Sequence, residues 1–182
     1  MNIKLYVRRS TALAAGVLVA LGAAYPAAGH ASEMPIKVTY VGSGVETAVD
    51  SNADELKLSL TTAEAKGSFG ASMVYITSEF RVDPTVECPA GYLPLYLFQS
   101  TAILTFANGD QLFGFVSGGE MCLNFGTGYY YGDATGEYQG GTGRFANATG
   151  AFYSTYTGYN LEPFLTGFRS IQGKIEGKVS MK

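Results

Sequence analysis

Hydrophobic and polar residues alternate along most of the chain after residue 32, with a period of two. The clearest example is residues 170–181, SIQGKIEGKVSM, in which Ile, Gly, Val and Met alternate with Ser, Gln, Lys and Glu. A helix would mix these two sets of side chains on one face, whereas a strand puts them on opposite faces. The segment therefore predicts a half-buried antiparallel strand.

Residues 101–118 predict a β-hairpin with arms at 101–107 and 110–117, because Asn108-Gly109 favours a tight turn in which both residues adopt positive φ. Further strands are predicted at 36–41, 55–60, 71–80, 94–98, 121–125, 129–139 and 151–159. About eight or nine strands at this spacing are typical of a sandwich or a barrel. Glycines at alternate inward positions, such as Gly173 and Gly177, let a sheet curve sharply. We therefore predict an all-β fold, a single antiparallel barrel of about eight strands.

The first 31 residues are predicted to be a cleaved secretory signal peptide. Basic residues precede an apolar run, residues 11–24, that is shorter than a membrane span, and small residues lead to a cleavage point after Ala31. An uncleaved anchor helix is the alternative, and Arg8-Arg9 leaves the twin-arginine route open. We expect one barrel domain, residues 32–182, in a periplasmic or secreted protein with no stable membrane insertion after cleavage.

The composition excludes several classes of function. The chain has 12 Lys and Arg against 15 Asp and Glu, and loss of the signal peptide makes it more acidic, so we expect no nucleic-acid partner. The single histidine, His30, lies in the predicted signal peptide. Histidine-based catalysis and histidine metal sites are therefore excluded from the mature domain, and we predict neither a metal nor a cofactor.

Two cysteines, Cys88 and Cys122, are expected to form a disulfide, because an exported chain folds in an oxidising compartment. The alternative is two unpaired thiols, one of them lining a pocket. In the chain-entropy model, a bridge that closes a loop of about 34 residues would stabilise the fold by roughly 3–4 kcal/mol.

The glycine-rich stretch GGTGRFANATG, residues 140–150, admits two interpretations. Gly141-x-Gly143-x-x-Ala146 matches the relaxed dinucleotide-binding fingerprint. However, strand alternation resumes directly afterwards, which leaves no room for the helix whose N-terminus would meet a pyrophosphate. A structural corner fits better, with glycines at positive φ and Phe145 plugging one end of the core.

Residues 135–158, TGEYQGGTGRFANATGAFYSTYTG, resemble the signature of the allene oxide cyclase and dirigent-like barrel superfamily. The matching positions are Gly140, Gly141, Gly143, Phe145, Ala148 and Gly150. Residues 105–118 also look like those of small exported bacterial members. The resemblance implies an eight-stranded barrel that often forms trimers around a mostly apolar cavity. It further implies cofactor-free chemistry, either cyclisation of a fatty-acid epoxide or guidance of phenolic radical coupling.

The predicted ligand-binding residues are aromatic or apolar and are expected to face the lumen: Met73, Tyr75, Phe113, Phe115, Tyr138 and Tyr153. Glu79 and Tyr138 are the candidate catalytic residues, since a carboxylate and a phenol can transfer protons. Glu79 and Arg81 share one strand face, which we expect to point outward or to lie at the rim. Arg144 and Arg169 are expected at the barrel mouth or on the surface.

Three functions are compatible with these features. The first is an exported barrel that binds a small apolar or phenolic ligand in its lumen without a cofactor. The second is a cofactor-free cyclase or isomerase of the allene oxide cyclase type, so whether the protein is an enzyme stays open. The third is a structural or surface-interaction barrel whose contacts are made by loops 82–94 and 118–128.

Overall fold

A computed structural model describes residues 32–48, 57–161 and 167–181, which form a closed barrel of eight antiparallel strands. Each strand pairs with the next, and the last pairs with the first. The strands are β1 (Glu33–Ala48), β2 (Lys57–Gly67), β3 (Ala71–Val82), β4 (Tyr92–Phe106), β5 (Gln111–Asn124), β6 (Tyr129–Gly141), β7 (Thr149–Asn160) and β8 (Gly167–Ser180). The predicted all-β barrel is confirmed. The predicted signal peptide lies outside the described residues.

Two pairs of predicted strands are single strands in the structure. The predicted strands 94–98 and 101–107 fall in β4 apart from Ala107, and the predicted strands 110–117 and 121–125 fall in β5 apart from Asp110 and Phe125. The sequence suggested breaks because β-bulges interrupt the alternation. Across β3 and β4, Glu79 pairs with Gln99 and Phe80 with Leu97, so Phe98 is an extra residue.

Several aromatic side chains in the lumen lie opposite glycines on the neighbouring strand. Tyr40 pairs with Gly173, and Tyr156 pairs with both Gly173 and Gly132. A Cβ atom at Gly132 would lie 2.8 Å from the Tyr156 hydroxyl, so the ring occupies the space that a side chain would need. The glycines therefore allow large rings to fill a narrow barrel.

The glycine-rich stretch forms a corner between β6 and β7 that contains a single 3₁₀ turn, Gly143–Phe145. Gly140 and Gly143 have φ values of 88° and 54°. Phe145 is fully buried and stacks on Phe106 with 4.6 Å between ring centroids, while Arg144 covers these rings from outside. The corner closes this end of the barrel, which we call the plugged end.

Cys88 and Cys122 form the predicted disulfide, with 5.7 Å between their Cα atoms. The bridge ties the loop of residues 83–91 to the outer side of β5, at the barrel end opposite the plugged end. In the described parts of the chain, no helix is long and apolar enough to cross a membrane.

Candidate functional site

Five of the six predicted ligand-binding residues lie on the outer face of the barrel. Met73, Tyr75, Phe115 and Tyr153 are exposed, and Phe113 alternates with the inward-facing Leu112 and Gly114. Their predicted placement in the lumen is therefore wrong. On β5 and β7 the sequence misled because both strands carry apolar residues on both faces, so alternation separates two faces without indicating which one is buried. On β3 the charged Glu79 and Arg81 are in phase with Met73 and Tyr75, and this contrast would have placed Met73 and Tyr75 outward.

Tyr138 does face the lumen, as predicted, and its ring packs 5.0 Å from that of Phe152. Burial raises the pKa of the Tyr138 phenol above its usual range, so this group stays neutral at physiological pH. Glu79 lies half-buried on the outward-facing side of β3, opposite Gln99. The two candidate catalytic residues therefore lie on opposite sides of the barrel wall and are not brought together.

The outward orientation expected for Glu79 and Arg81 is confirmed. The guanidinium of Arg81 lies over the rings of Tyr96 and Phe98, at 5.4 and 5.3 Å from their centroids. Such cation–π contacts contribute about 0.5–1 kcal/mol at exposed sites. This pair therefore belongs to the barrel surface and does not form a polarised site in the lumen.

The space inside the barrel, which we call the lumen cavity, measures about 40 Å³. Pockets for small organic ligands usually measure about 300–1,000 Å³. The rings of Tyr40, Phe152 and Tyr156 line the cavity and fill most of the interior. The described lumen is thus too small for the apolar or phenolic ligand expected there.

A buried ion pair joins β1 to β8 near the barrel end opposite the plugged end. Glu46 Oε1 accepts a hydrogen bond of 3.1 Å from Arg169 Nη1, and the two side chains are 9% and 3% exposed. Arg169 Nη2 donates to Thr61 Oγ1 at 2.6 Å, and Asn160 Nδ2 donates to Glu46 Oε2 at 3.2 Å. Arg169 therefore lies near the barrel mouth, one of its two expected positions, but it is buried and ion-paired, so the expected surface position is wrong.

A sequence signal for this ion pair was present. Arg169 is in phase with Ile171 and Ile175 on the inward face of β8, and Glu46 is in phase with Val38 and Tyr40 on β1. Extending the alternation by one step in β8, and by three steps in β1 from Tyr40 to Glu46, would have placed both charges inside. A buried charge requires a partner, which would have suggested that the two belong together.

The barrel exterior carries a concavity of about 750 Å³, which we call the outer groove. Two rows of outward side chains that cross β5, β6, β7, β8 and β1 line it on either side of a middle row that contains Gly132 and Gly173. One row is Glu120, Asp133, Thr155, Lys174 and Thr39, and the other is Cys122, Tyr131, Thr157, Gln172 and Val41. Sequence reasoning missed this site, because its residues come from five strands and none forms a motif.

Carboxylates dominate the charge of the outer groove. Glu120 and Asp133 are direct cross-strand partners, and Glu87 adds a third carboxylate from the loop that the disulfide anchors. Lys174 is the one basic side chain among the residues that line the groove. Like charges placed directly opposite each other destabilise a sheet, so the Glu120–Asp133 pair has a cost to the fold.

Four tyrosines form a cluster on the outside of the barrel that continues one end of the outer groove: Tyr92, Tyr129, Tyr131 and Tyr159. The Tyr131 ring lies 5.7 Å from that of Tyr92 and 6.2 Å from that of Tyr129. Tyr129 in turn packs 5.2 Å from Tyr159, its cross-strand partner. The tyrosine cluster thus places a run of rings, each with a polar hydroxyl, beside the carboxylates of the groove.

The loop that supplies Glu87 is held at both of its ends. At its start, the Asp83 carboxylate accepts hydrogen bonds from the backbone and hydroxyl of Thr85, and these bonds lower the pKa of Asp83. Further along, Cys88 is bonded to Cys122, which lines the groove. Glu87 directly precedes Cys88, so the disulfide fixes its position over the groove.

No family model, curated protein or solved structure matches this chain. The described residues contain no group of three or more His, Cys, Asp and Glu side chains that could hold a metal ion. The superfamily resemblance of residues 135–158 therefore stays a prediction, and the geometry of the outer groove is the basis for a functional proposal.

Proposed function

We propose that the protein is an exported barrel that binds a neutral, hydroxyl-rich ligand, such as a glycan chain, in its outer groove. The observation that carries this proposal is a concavity of about 750 Å³ that is lined by three carboxylates and continued at one end, through Tyr131, by the tyrosine cluster. This volume lies within the range of ordinary ligand sites, whereas the lumen cavity of about 40 Å³ does not.

The hydrogen-bonding groups of the groove define the ligand chemistry. The carboxylates of Glu87, Glu120 and Asp133 only accept hydrogen bonds when ionised, so a ligand must bring donors. Hydroxyl groups supply such donors, and their hydrogen bonds to carboxylates are stronger than those between neutral groups. An anionic ligand is disfavoured because it would approach three carboxylates and a single lysine.

The tyrosine cluster supplies the second half of the recognition chemistry. A sugar ring presents C–H groups on its faces and hydroxyls at its edge. Tyr131 can support such a face with its ring, while Thr157 and Gln172 in the same row offer hydroxyl and amide groups to the edge. The extent of the cluster from Tyr92 to Tyr159 favours a ligand of several rings over a monosaccharide.

A cofactor-free cyclase or isomerase is the weaker alternative. That chemistry requires a proton-transferring group beside a cavity that holds the substrate. Glu79 faces outward and Tyr138 faces inward, and Tyr138 does not line the lumen cavity. The geometry supports binding in preference to catalysis.

A glycan array probed with the chain from residue 32 onward would test the proposal, followed by calorimetry with the best-binding oligosaccharide. We expect Tyr131→Ala and Asp133→Asn each to weaken binding about tenfold, equivalent to about 1.4 kcal/mol. Tyr153→Ala is the matched control, since Tyr153 is exposed on β7 but lies outside the groove. Binding to no glycan, or equal affinities for all three variants, would contradict the proposal.

Asp133→Asn offers a further distinguishing result. Removing this charge relieves its repulsion with Glu120, so the variant should be slightly more stable than the parent while binding more weakly. If Asp133 served only the fold, its substitution would not raise the stability of the protein while lowering its affinity for the oligosaccharide.

We also propose self-association through the outer face of β3, β4 and β5, as a weak dimer in place of the trimer that the resemblance implies. Residues 71–77, 101–106 and 111–117 contain no charged residue, whereas β1 and β8 carry the Lys37–Glu176 and Lys178–Glu33 ion pairs. An uncharged face matches the same face of a second copy without burying a lysine or glutamate. Three strands over seven residues span roughly 300 Å², so we expect weak association.

Light scattering across a concentration series would test this contact. We expect a monomer–dimer equilibrium that Phe115→Lys shifts to monomer, because Phe115 is exposed on that face. A stable trimer, or a mass that does not change with concentration, would contradict it.

A further inference from the structure

The lumen cavity adjoins the buried ion pair, and the Nε–H group of Arg169 lacks a hydrogen-bond acceptor that a bound molecule would supply. Arg169 lines the cavity and is 3% exposed. Its Nη1 and Nη2 atoms donate to Glu46 and Thr61. Its Nε–H has no hydrogen-bond partner among the described residues. A buried guanidinium donor without a partner carries a free-energy cost that a bound acceptor would remove.

The wall of the cavity provides further polar groups. Ser78 and Ser100 are hydrogen-bonded to each other at 3.0 Å across β3 and β4, and Tyr40 and Ser154 lie 3.4 Å apart across the lumen. A serine hydroxyl has one donor and two acceptor sites, so each of these pairs retains capacity for a third partner. The remaining wall is aliphatic or aromatic and would confine a guest to this polar side.

Charge and volume restrict the guest. Glu46 already neutralises Arg169, so an anion would add an unpaired negative charge to a buried site, and a cation would face the guanidinium. A cavity needs about 10–15 Å³ for each water molecule, so 40 Å³ accommodates about three waters or one molecule of similar size.

We propose that the lumen cavity is a binding site for small uncharged hydrogen-bond acceptors, with two or three water molecules as its resident occupants. One of them accepts from Arg169 Nε, and the serine and tyrosine hydroxyls complete its hydrogen bonds. The groups that carry this proposal, Arg169, Ser78 and Ser100, do not line the outer groove, so the proposal does not depend on the proposed function.

A high-resolution crystal structure of the chain from residue 32 onward is the direct test. We expect density in the cavity with an atom about 2.7–3.2 Å from Arg169 Nε, which is ordinary hydrogen-bond length. A small neutral organic molecule at that position would support the site and identify a second kind of occupant. A charged ion there, or Nε bonded to a protein group instead, would overturn the proposal.

Xenon pressurisation of the same crystals gives an independent measurement, because xenon enters dry apolar cavities. We expect no xenon in the parent protein. The double variant Ser78→Ala, Ser100→Ala removes polar partners while leaving the ion pair intact, and we expect xenon to bind in its cavity. Xenon in the parent cavity would show that the cavity is dry and would overturn the proposal.

Discussion

The phenol ring of Tyr130 lies directly against the backbone of Gly158, its cross-strand partner on β7. The Tyr130 hydroxyl extends past this glycine and donates a hydrogen bond of 2.6 Å to the Ser170 carbonyl on β8. One side chain thus spans three neighbouring strands, which is possible only because the position between them has no side chain. Tyr130 is fully buried, and burial raises the pKa of its phenol.

We predict that Gly158→Ala destabilises the barrel by about 1–3 kcal/mol, the usual cost of overpacking a filled core. The new Cβ would meet the Tyr130 ring and the Ser170 carbonyl. Urea denaturation would measure the change in the free energy of unfolding. Gly126→Ala is the control, since its Cβ would meet only the Asn124 side chain, at 3.4 Å. Equal stabilities for the two variants would contradict the role given to Gly158.

We predict that Arg169→Leu costs about 3–5 kcal/mol, because it leaves the Glu46 carboxylate buried without its cation. The double variant Glu46→Leu, Arg169→Leu should recover a large part of that loss, since it removes both charges and replaces them with apolar volume. Denaturant midpoints of the parent, both single variants and the double variant would give the coupling. Additive losses would show that the two residues stabilise the fold independently.

The alternation at residues 170–181 predicted β8 and its buried face correctly, because Ile171, Ile175 and Val179 are opposed by charged residues on the other side. Met73 and Tyr75 were placed on the wrong face because the alternation of β3 was not extended to the charged Glu79 and Arg81, which are in phase with them. Phe98 interrupted the pattern of β4 as a bulge, which a single sequence does not distinguish from a loop.

The outer groove depends on register, which is not visible in one strand. Glu120, Asp133 and Lys174 come together only because β5, β6, β7 and β8 pair with particular offsets. The sequence of one strand predicts which side chains share a face, but it does not determine the register in which that strand pairs with its neighbours. The disulfide was the one long-range constraint available, and it correctly joined the 83–91 loop to the strand that forms part of the groove.

We predict that the barrel loses stability as pH rises above about 10. Burial raises the pKa of Tyr40, Tyr130, Tyr138 and Tyr156 in the folded state, whereas unfolded tyrosine ionises near pH 10. Above that pH the unfolded state binds fewer protons than the folded state, so the free energy of unfolding falls with increasing pH. Urea denaturation at a series of pH values, with tyrosinate absorbance as a second probe, would measure this slope.

Tyr138→Phe should reduce that slope, because it removes one buried phenol from the titration. The Tyr138 hydroxyl has no hydrogen-bond partner among the described residues, so the variant should also be more stable at neutral pH by about 1 kcal/mol. Tyr75→Phe is the control, since Tyr75 is exposed. A loss of stability in Tyr138→Phe would mean that the hydroxyl has a partner that stabilises the fold.

Removal of the disulfide should affect both stability and ligand binding. We predict that Cys88→Ala with Cys122→Ala lowers the free energy of unfolding by about 3–4 kcal/mol, since a loop with a sequence separation of 34 becomes unconstrained. The same variant should bind the oligosaccharide more weakly, because Glu87 is no longer held over the groove. Circular dichroism would verify that the variant is folded before calorimetry, and Thr85→Ser, which keeps the hydroxyl that donates to Asp83, serves as the control. If the folded variant bound as tightly as the parent, the loop would make no contribution to recognition, and the ligand would have to lie on the strand rows alone.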